Sequence, residues 1–177
     1  MTRMILEASY SIEKWDVDHP RYADFLDCVK VAASEQMVFL QQSYFQNYPC
    51  YLLVALQVHQ VVGFLQFAVL PIGTEFKCPT LTLDGQSLFE AKIHAFAVHP
   101  AFRNRGIGTA LQRGAIHWAR QLGCYQLASQ SSYDREANYH VKLSLGFAVQ
   151  PERHGDNEYG VYFIMPLNPI TDPVENT

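Results

Sequence analysis

Apolar and polar positions along the chain change period several times, and each change marks an element. Residues 4–12 (MILEASYSI) read as a first strand, followed at Asp18, His19 and Pro20 by a turn or helix start. Over 21–45 the apolar spacing is helical, with Phe25, Val29, Ala32 and Ala33 on one stripe and a break near Ser34. Two runs follow, 51–58 and 61–70, rich in β-branched, aromatic and aliphatic residues; the polar pair His59-Gln60 between them predicts a hairpin whose turn lacks Gly or Asn. Residues 71–87 shift to Gly, Pro, Thr and Asp and read as a long excursion. Phe89–Val98 is the next strand, which Pro100 closes.

The most regular helical pattern runs over 104–122, where Ile107, Ala110, Leu111, Gly114, Trp118 and Leu122 recur at spacings of three and four, with Gly123 placed to end the helix. A short buried strand (124–129), a helix (134–145) ending before Gly146, and strands at 147–149 and 159–167 complete the chain. The predicted order is β-α-α-β-β-β-α-β-α-β-β. It describes a mixed α/β fold whose strand-helix-strand passages should be parallel and right-handed.

Composition narrows the function. A chain of 177 residues suits a single domain over 1–177, with a core of about 4–167 and a tail at 168–177. At that size folding buries roughly 70% of the unfolded surface, enough for a core without staples. The chain is 49% hydrophobic and 17% charged, as globular domains are, and it has no apolar run of about 18 residues for a membrane. No secretory signal is visible at the start, so a cytoplasmic protein is expected. The four cysteines, Cys28, Cys50, Cys78 and Cys124, are widely spaced and lack histidines at ligand spacing, which predicts free thiols and no metal. A net charge of −4 argues against nucleic acid as a partner. It leaves room for a small anion at the local cluster Arg103, Arg105 and Arg113.

That cluster lies in HPAFRNRGIGTALQRG (99–114), where an apolar strand turns into a helix. A helix N-terminus leaves backbone N–H groups unpaired and carries about half a positive charge, so glycines that bring backbone close to a guest make an anion site there. Gly106 and Gly108 supply the closeness, and Arg103 and Arg105 add charge at the rim. A pyrophosphate suits such a site. The P-loop fails as an explanation because Thr109 and Ala110, not Lys and Ser/Thr, follow Gly108. The dinucleotide fingerprint fails because Leu111 stands where its third Gly or Ala belongs.

Arg103-Asn-Arg-Gly106-Ile-Gly108 resembles the [Q/R]-x-x-G-x-[G/A] signature of the GCN5-related N-acetyltransferases. IHAFAVHPAFRNRGIGTAL is similar to that family's strand, turn and helix, and REANYHVKLSLGF to its later helix ending in Leu-Gly-Phe. The resemblance implies a central mixed, mostly antiparallel sheet of about seven strands flanked by about four helices, with 71–87 as an insertion. It implies acetyl-CoA as co-substrate, its pyrophosphate held by Arg103, Asn104, Arg105, Gly106, Ile107, Gly108 and Thr109, and its pantetheine lined by Phe96, Ala97 and Val98. The acetyl carbonyl would be held by the backbone N–H of Ala97 or Val98. Direct attack by an amine, without an acyl-enzyme, is the chemistry implied.

The proton-transfer groups depart from the family pattern. Two-residue alternation places Glu90, Lys92, His94 and Phe96 on one strand face. Lys92 stands where some members carry a glutamate, which leaves His94 or Glu90 as base, His94 preferred for its near-neutral pKa. Lys142 stands at the position of the usual tyrosine acid, and Tyr139, one turn earlier, is the candidate in its place. The asparagine that often contacts pantetheine aligns with Arg135, and Asn138 lies one turn on.

For the acceptor, Glu35, Glu75, Asp84, Glu90, Asp156 and Glu158 give the loops and helices an acidic tendency suited to a cationic amine of a small molecule or peptide. HVKLSLGF looks somewhat like the aminoglycoside 6'-N-acetyltransferase branch. Tyr44, Phe45 and Tyr48 suit either an acceptor cleft or a homodimer contact. A second reading is an acetyl-CoA-binding sensor without efficient catalysis, favoured by the departures at Lys92 and Lys142.

Overall fold

The computed structural model describes residues 10–41, 44–74, 77–132, 135–154 and 158–167. Its elements are β1 (Tyr10–Trp15), α1 (Tyr22–Ala32), α2 (Met37–Leu40), β2 (Tyr44–Phe45), β3 (Tyr48–Gln57), β4 (Gln60–Pro71), β5 (Thr82–Leu83), β6 (Gln86–Ser87), β7 (Phe89–Val98), α3 (Ile107–Gln121), β8 (Gln126–Ser132), α4 (Glu136–Ser144), β9 (Ala148–His154) and β10 (Glu158–Pro166). The main sheet runs β1-β3-β4-β7-β8-β10-β9, with β2 added to β3. Every pair in it is antiparallel except β7–β8, which α3 connects as a parallel crossover.

The core lies on both faces of this sheet. Along β3, Leu53 and Ala55 pack with Ile107, Leu111 and Ala115 of α3, while Leu52, Val54 and Leu56 pack with Phe25 and Val29 of α1. Strands covered on both sides carry apolar residues at every position, which is why 51–58 and 61–70 show little alternation. Of the predicted helical stripe, Phe25 and Val29 on α1 and Ala33 just past its end are buried, and Ala32 packs beside them.

Several boundaries shift. The described part of the first strand runs from Tyr10 to Trp15; 4–9 lie outside the described residues. Helix over 21–45 is interrupted by a 3₁₀ turn at Ser34–Gln36, and Tyr44–Phe45 leave the helical pattern to pair with β3. The excursion contains the small hairpin β5–β6. α3 begins at Ile107 instead of 104, because a 3₁₀ turn at Pro100–Phe102 and the left-handed Asn104 (φ 60°) and Gly106 (φ 79°) occupy the lead-in. β8 sits two to three residues later than 124–129, and α4 is trimmed to 136–144. The expected seven strands are exceeded by the two-residue β2, β5 and β6, and one of the four helices, α2, is a single turn.

Candidate donor and transfer site

The N-terminus of α3 is open. Gly106 precedes it at φ 79°, no side chain caps it, and no acid stands in its first turn. Its positive end is therefore left to a guest. The guanidiniums at the rim are tied to nearby backbone: Arg103 Nε donates to the Val98 carbonyl at 3.1 Å, and Arg105 Nη2 to that of Ala101 at 3.1 Å. Arg105 also lies 5.3 Å over the Phe102 ring. A Cβ on Gly108 would meet Phe96 Cζ at 3.2 Å, so the glycine lets α3 settle against β7. Ile107 is buried and anchors the first turn; Arg113 is exposed further along.

Beside this helix the sheet forks. β7 pairs with β8 only through Glu90–Ile93 against Gln126–Ser129, although β7 continues to Val98 and β8 to Ser132. At the same point β7 bulges: Ile93 faces Phe67 and Ala95 faces Gln66, leaving His94 without an opposite residue on β4. The bulge overturns the expected alternation. Ala91 and Ile93 face the α3 side, so Glu90 and Lys92 lie on the other face, and beyond the bulge Phe96 and Val98 turn to α3 while Ala95 and Ala97 turn to α1.

The His99 N–H bonds the Val62 carbonyl at 2.9 Å, so by ladder alternation the Ala97 N–H also points at β4, and those of Phe96 and Val98 point into the fork. The Phe96 N–H is taken by Gln36 Oε1 at 3.2 Å. Of the two expected carbonyl donors, only Val98 has the required direction; Phe96 shares it.

His94 packs against Phe45, ring centroids 3.9 Å apart and planes tilted by 31°, and its Nε2 is buried without a hydrogen-bond partner. Burial first, and the nearby Lys92 charge second, push its pKa down to about 4. Glu90 is 2% exposed and accepts from Gln126 Nε2 at 2.7 Å on the closed part of the ladder. It lies four residues from His94, roughly 13 Å along the strand. Lys92 Nζ rests 4.3 Å over the Tyr162 ring.

On the other wall of the fork, Lys142 is 1% exposed, with Nζ donating to Ser129 Oγ at 2.6 Å and Ser131 Oγ at 3.3 Å. Asn138 Nδ2 donates to the same Ser131 hydroxyl at 2.5 Å, and its Oδ1 is buried without a partner. Tyr139 donates to the Ser132 carbonyl at 2.6 Å and packs on Phe163. The structure thus gathers His94, Phe96, Val98, Asn138 and Tyr139 around the fork, and sets Glu90 apart. Sequence reasoning missed Ser129, Ser131 and Gln36. The alternate serines in QLASQSS were a visible signal, whereas Gln36 had none.

The acids expected around an acceptor do not converge among the described residues. Glu35 is exposed and 3.7 Å from Arg135, Asp84 is exposed in the β5–β6 turn, and Glu90 is interior. Glu75 and Asp156 lie outside the described residues, as does the Glu158 side chain. Among the described residues no disulfide joins the four cysteines, no cluster suits a metal ion, and no helix is long and apolar enough to cross a membrane.

A forked sheet with an uncapped helix N-terminus at its mouth defines an α/β protein suited to an extended anionic ligand lying along an open strand edge. The chain belongs to the acetyltransferase (GNAT) family, whose model matches residues 12–147. It is 30% identical over 88 residues to the aminoglycoside N(6')-acetyltransferase type 1 of Klebsiella aerogenes, a match covering 50% of this chain and 52% of that protein. The chain thus spans about half the length of the curated relatives it matches. Its fold is shared with the Escherichia coli ribosomal-protein-S18-alanine N-acetyltransferase (TM-score 0.65, 15% identity, 94% of this chain and 99% of that one). It is shared too with a Salmonella typhimurium protein solved with its cofactor acetyl-CoA (TM-score 0.60, 18% identity, 90% and 95%).

Proposed function

We propose that this chain is a single-domain N-acetyltransferase, passing the acetyl group of acetyl-CoA directly to a primary amine of a small molecule or peptide. The observation that carries the reading is the open edge of β7 at the fork, leading to the uncapped N-terminus of α3. The residues fit the co-substrate: first-turn N–H groups around Ile107, Gly108 and Thr109, with Arg103, Asn104 and Arg105 at the rim, would hold pyrophosphate. Phe96, Val98 and Asn138 would line the arm. Acetyl-CoA supplies the activated acyl group. The chain's own contribution is orientation, carbonyl polarisation by N–H groups on β7, and exclusion of water near His94. The aminoglycoside relatives support a cationic acceptor.

Thermal unfolding with acetyl-CoA tests the donor half. At a hundred times its dissociation constant a ligand adds about 2.7 kcal/mol, a clear rise in Tm. Arg105→Glu, at an exposed rim position, puts a carboxylate where pyrophosphate would lie and should strongly reduce that rise while the circular dichroism spectrum is kept. Release of free thiol with a panel of amines, an aminoglycoside and an alanine-ended peptide included, tests the transfer half. A Tm unmoved by acetyl-CoA overturns the whole reading; a raised Tm with no thiol release leaves a sensor.

A further inference from the structure

The aromatic positions Tyr44, Phe45 and Tyr48 lie in the β2–β3 hairpin, and this hairpin delivers Phe45 to the fork. Phe45 pairs with Tyr48 across a two-residue turn in which Gln46 (φ 48°) and Asn47 (φ 71°) are both left-handed, the arrangement that closes a hairpin tightly. From this turn the half-buried Phe45 ring reaches β7 and lies 3.9 Å from the His94 imidazole, centroid to centroid. His94 is the bulged residue. It stands one place past Ile93, where β7 and β8 make their last rung, and two places before Phe96, whose N–H points into the fork.

The two faces of the fork differ. On the α3 side Ser129 and Lys142 are buried, and Asn138 and Tyr139 stand where the arm of the co-substrate would run. Leu127 packs on that side, so by two-residue alternation Ser129 and Ser131 share it, while Gln130 faces the other way and is exposed. The α1 side is therefore the open approach to the last rung, and Phe45 with His94 forms its β7 wall. That wall is uncharged at neutral pH, because burial first, and the Lys92 charge second, push the His94 pKa down to about 4. An uncharged aromatic face holds a second ring by dispersion and by offset or edge contact, and it gives an extended chain fewer atoms to touch.

Resting on the acetyl-transfer reading above, we propose that Phe45 is the platform on which the acceptor lies, and that it selects primary amines carried on a ring over linear amines of the same size. The ring of such an acceptor extends the Phe45–His94 pair toward β8, with its amine turned into the fork. Phe45 takes no proton and touches no part of the donor cradle, so its loss leaves the open edge of β7 and the N-terminus of α3 in place.

The test uses two saturated amines of equal carbon count, cyclohexylmethylamine and n-heptylamine, with wild type, Phe45→Ala and Phe45→Tyr. In wild type kcat/KM should favour the ring amine by about two- to tenfold, the worth of one ring contact. Phe45→Ala should narrow the ratio by that factor through a higher KM for the ring amine, with kcat and acetyl-CoA affinity within about twofold of wild type, and Phe45→Tyr should keep the preference. Phe45→Leu, apolar but without a ring face, gives the same comparison if Phe45→Ala fails to fold. Calorimetric titration of cyclohexylmethylamine onto the CoA-bound protein reads the platform without turnover, and its affinity should fall by the same factor in Phe45→Ala. A preference that survives in Phe45→Ala overturns the proposal, as does a variant altered only in oligomeric mass, which would make Phe45 a contact between copies. Ring-amine affinity that depends on Phe45, with no thiol released by any amine, upholds the platform and overturns the acetyl-transfer reading instead.

Discussion

At neutral pH His94 carries no charge. From the sequence it was attractive as a base because an ordinary imidazole titrates near operating pH; the environment that changes this, Phe45 against its ring and Lys92 two residues back, comes from tertiary packing that no local pattern encodes. The change has a sign in stability. Folded His94 binds its proton only near pH 4, the unfolded side chain near 6.5, so between these values the unfolded chain holds more protons and stability falls as pH falls. The loss is complete below about pH 4 and amounts to on the order of 3 kcal/mol. Denaturant unfolding at pH 7 and pH 4.5 should show His94→Gln losing less stability than wild type across that interval. Parallel losses would mean that the imidazole is solvated and free to act as a base of ordinary strength.

Elements were legible where periodicity was strong. Helix α3 announces itself through the stripe that includes Ile107, Leu111 and Trp118, of which Ile107 and Leu111 are buried and Trp118 packs on the core while Leu122 of the same stripe is exposed, and it ends where Gly123 takes φ 75°, as a C-terminal glycine should. The hairpin β3–β4 is legible from its two apolar runs, but its turn is Val58-His59, one residue before the expected His59-Gln60, because neither residue has turn chemistry. Both nevertheless adopt positive φ, 56° and 112°, the arrangement a two-residue hairpin demands, and a β-branched valine is poorly suited to it. Replacing the pair by Asn-Gly should therefore stabilise the fold by about 1 kcal/mol, raising Tm by roughly 2–4 °C without touching the site. The carbonyl of residue 59 that accepts from Arg21 survives the change. A Tm that does not move would show that neighbouring contacts, not turn geometry, hold this end. The bulge at His94 was not legible, since FEAKIHAFAV carries no glycine to mark it.

Across the whole molecule, the main order of elements and the glycine-containing turn that leads from β7 into α3 could be read from the chain, whereas the fork could not: it depends on how far two strands stay paired, which emerges only when α3 and α4 pack together. Two contacts from one 3₁₀ turn span this fork, Gln36 to the Phe96 N–H on β7 and Glu35 to Arg135 beside α4. They differ in weight. The ion pair is 3.7 Å long between side chains 58% and 59% exposed, and pairs of that kind contribute about 0–1 kcal/mol. The Gln36 bond occupies an N–H that faces into the fork, so a ligand carbonyl approaching that N–H must displace the amide first. A typical hydrogen bond is worth about 0.5–1.5 kcal/mol net, which sets the competition at roughly twofold to tenfold in affinity. Calorimetric titration with acetyl-CoA should therefore find Gln36→Ala binding more tightly than wild type by that factor, and Glu35→Ala binding within about twofold of it. Weaker binding by Gln36→Ala would mean that the glutamine belongs to the liganded arrangement, steadying the arm rather than standing in its way.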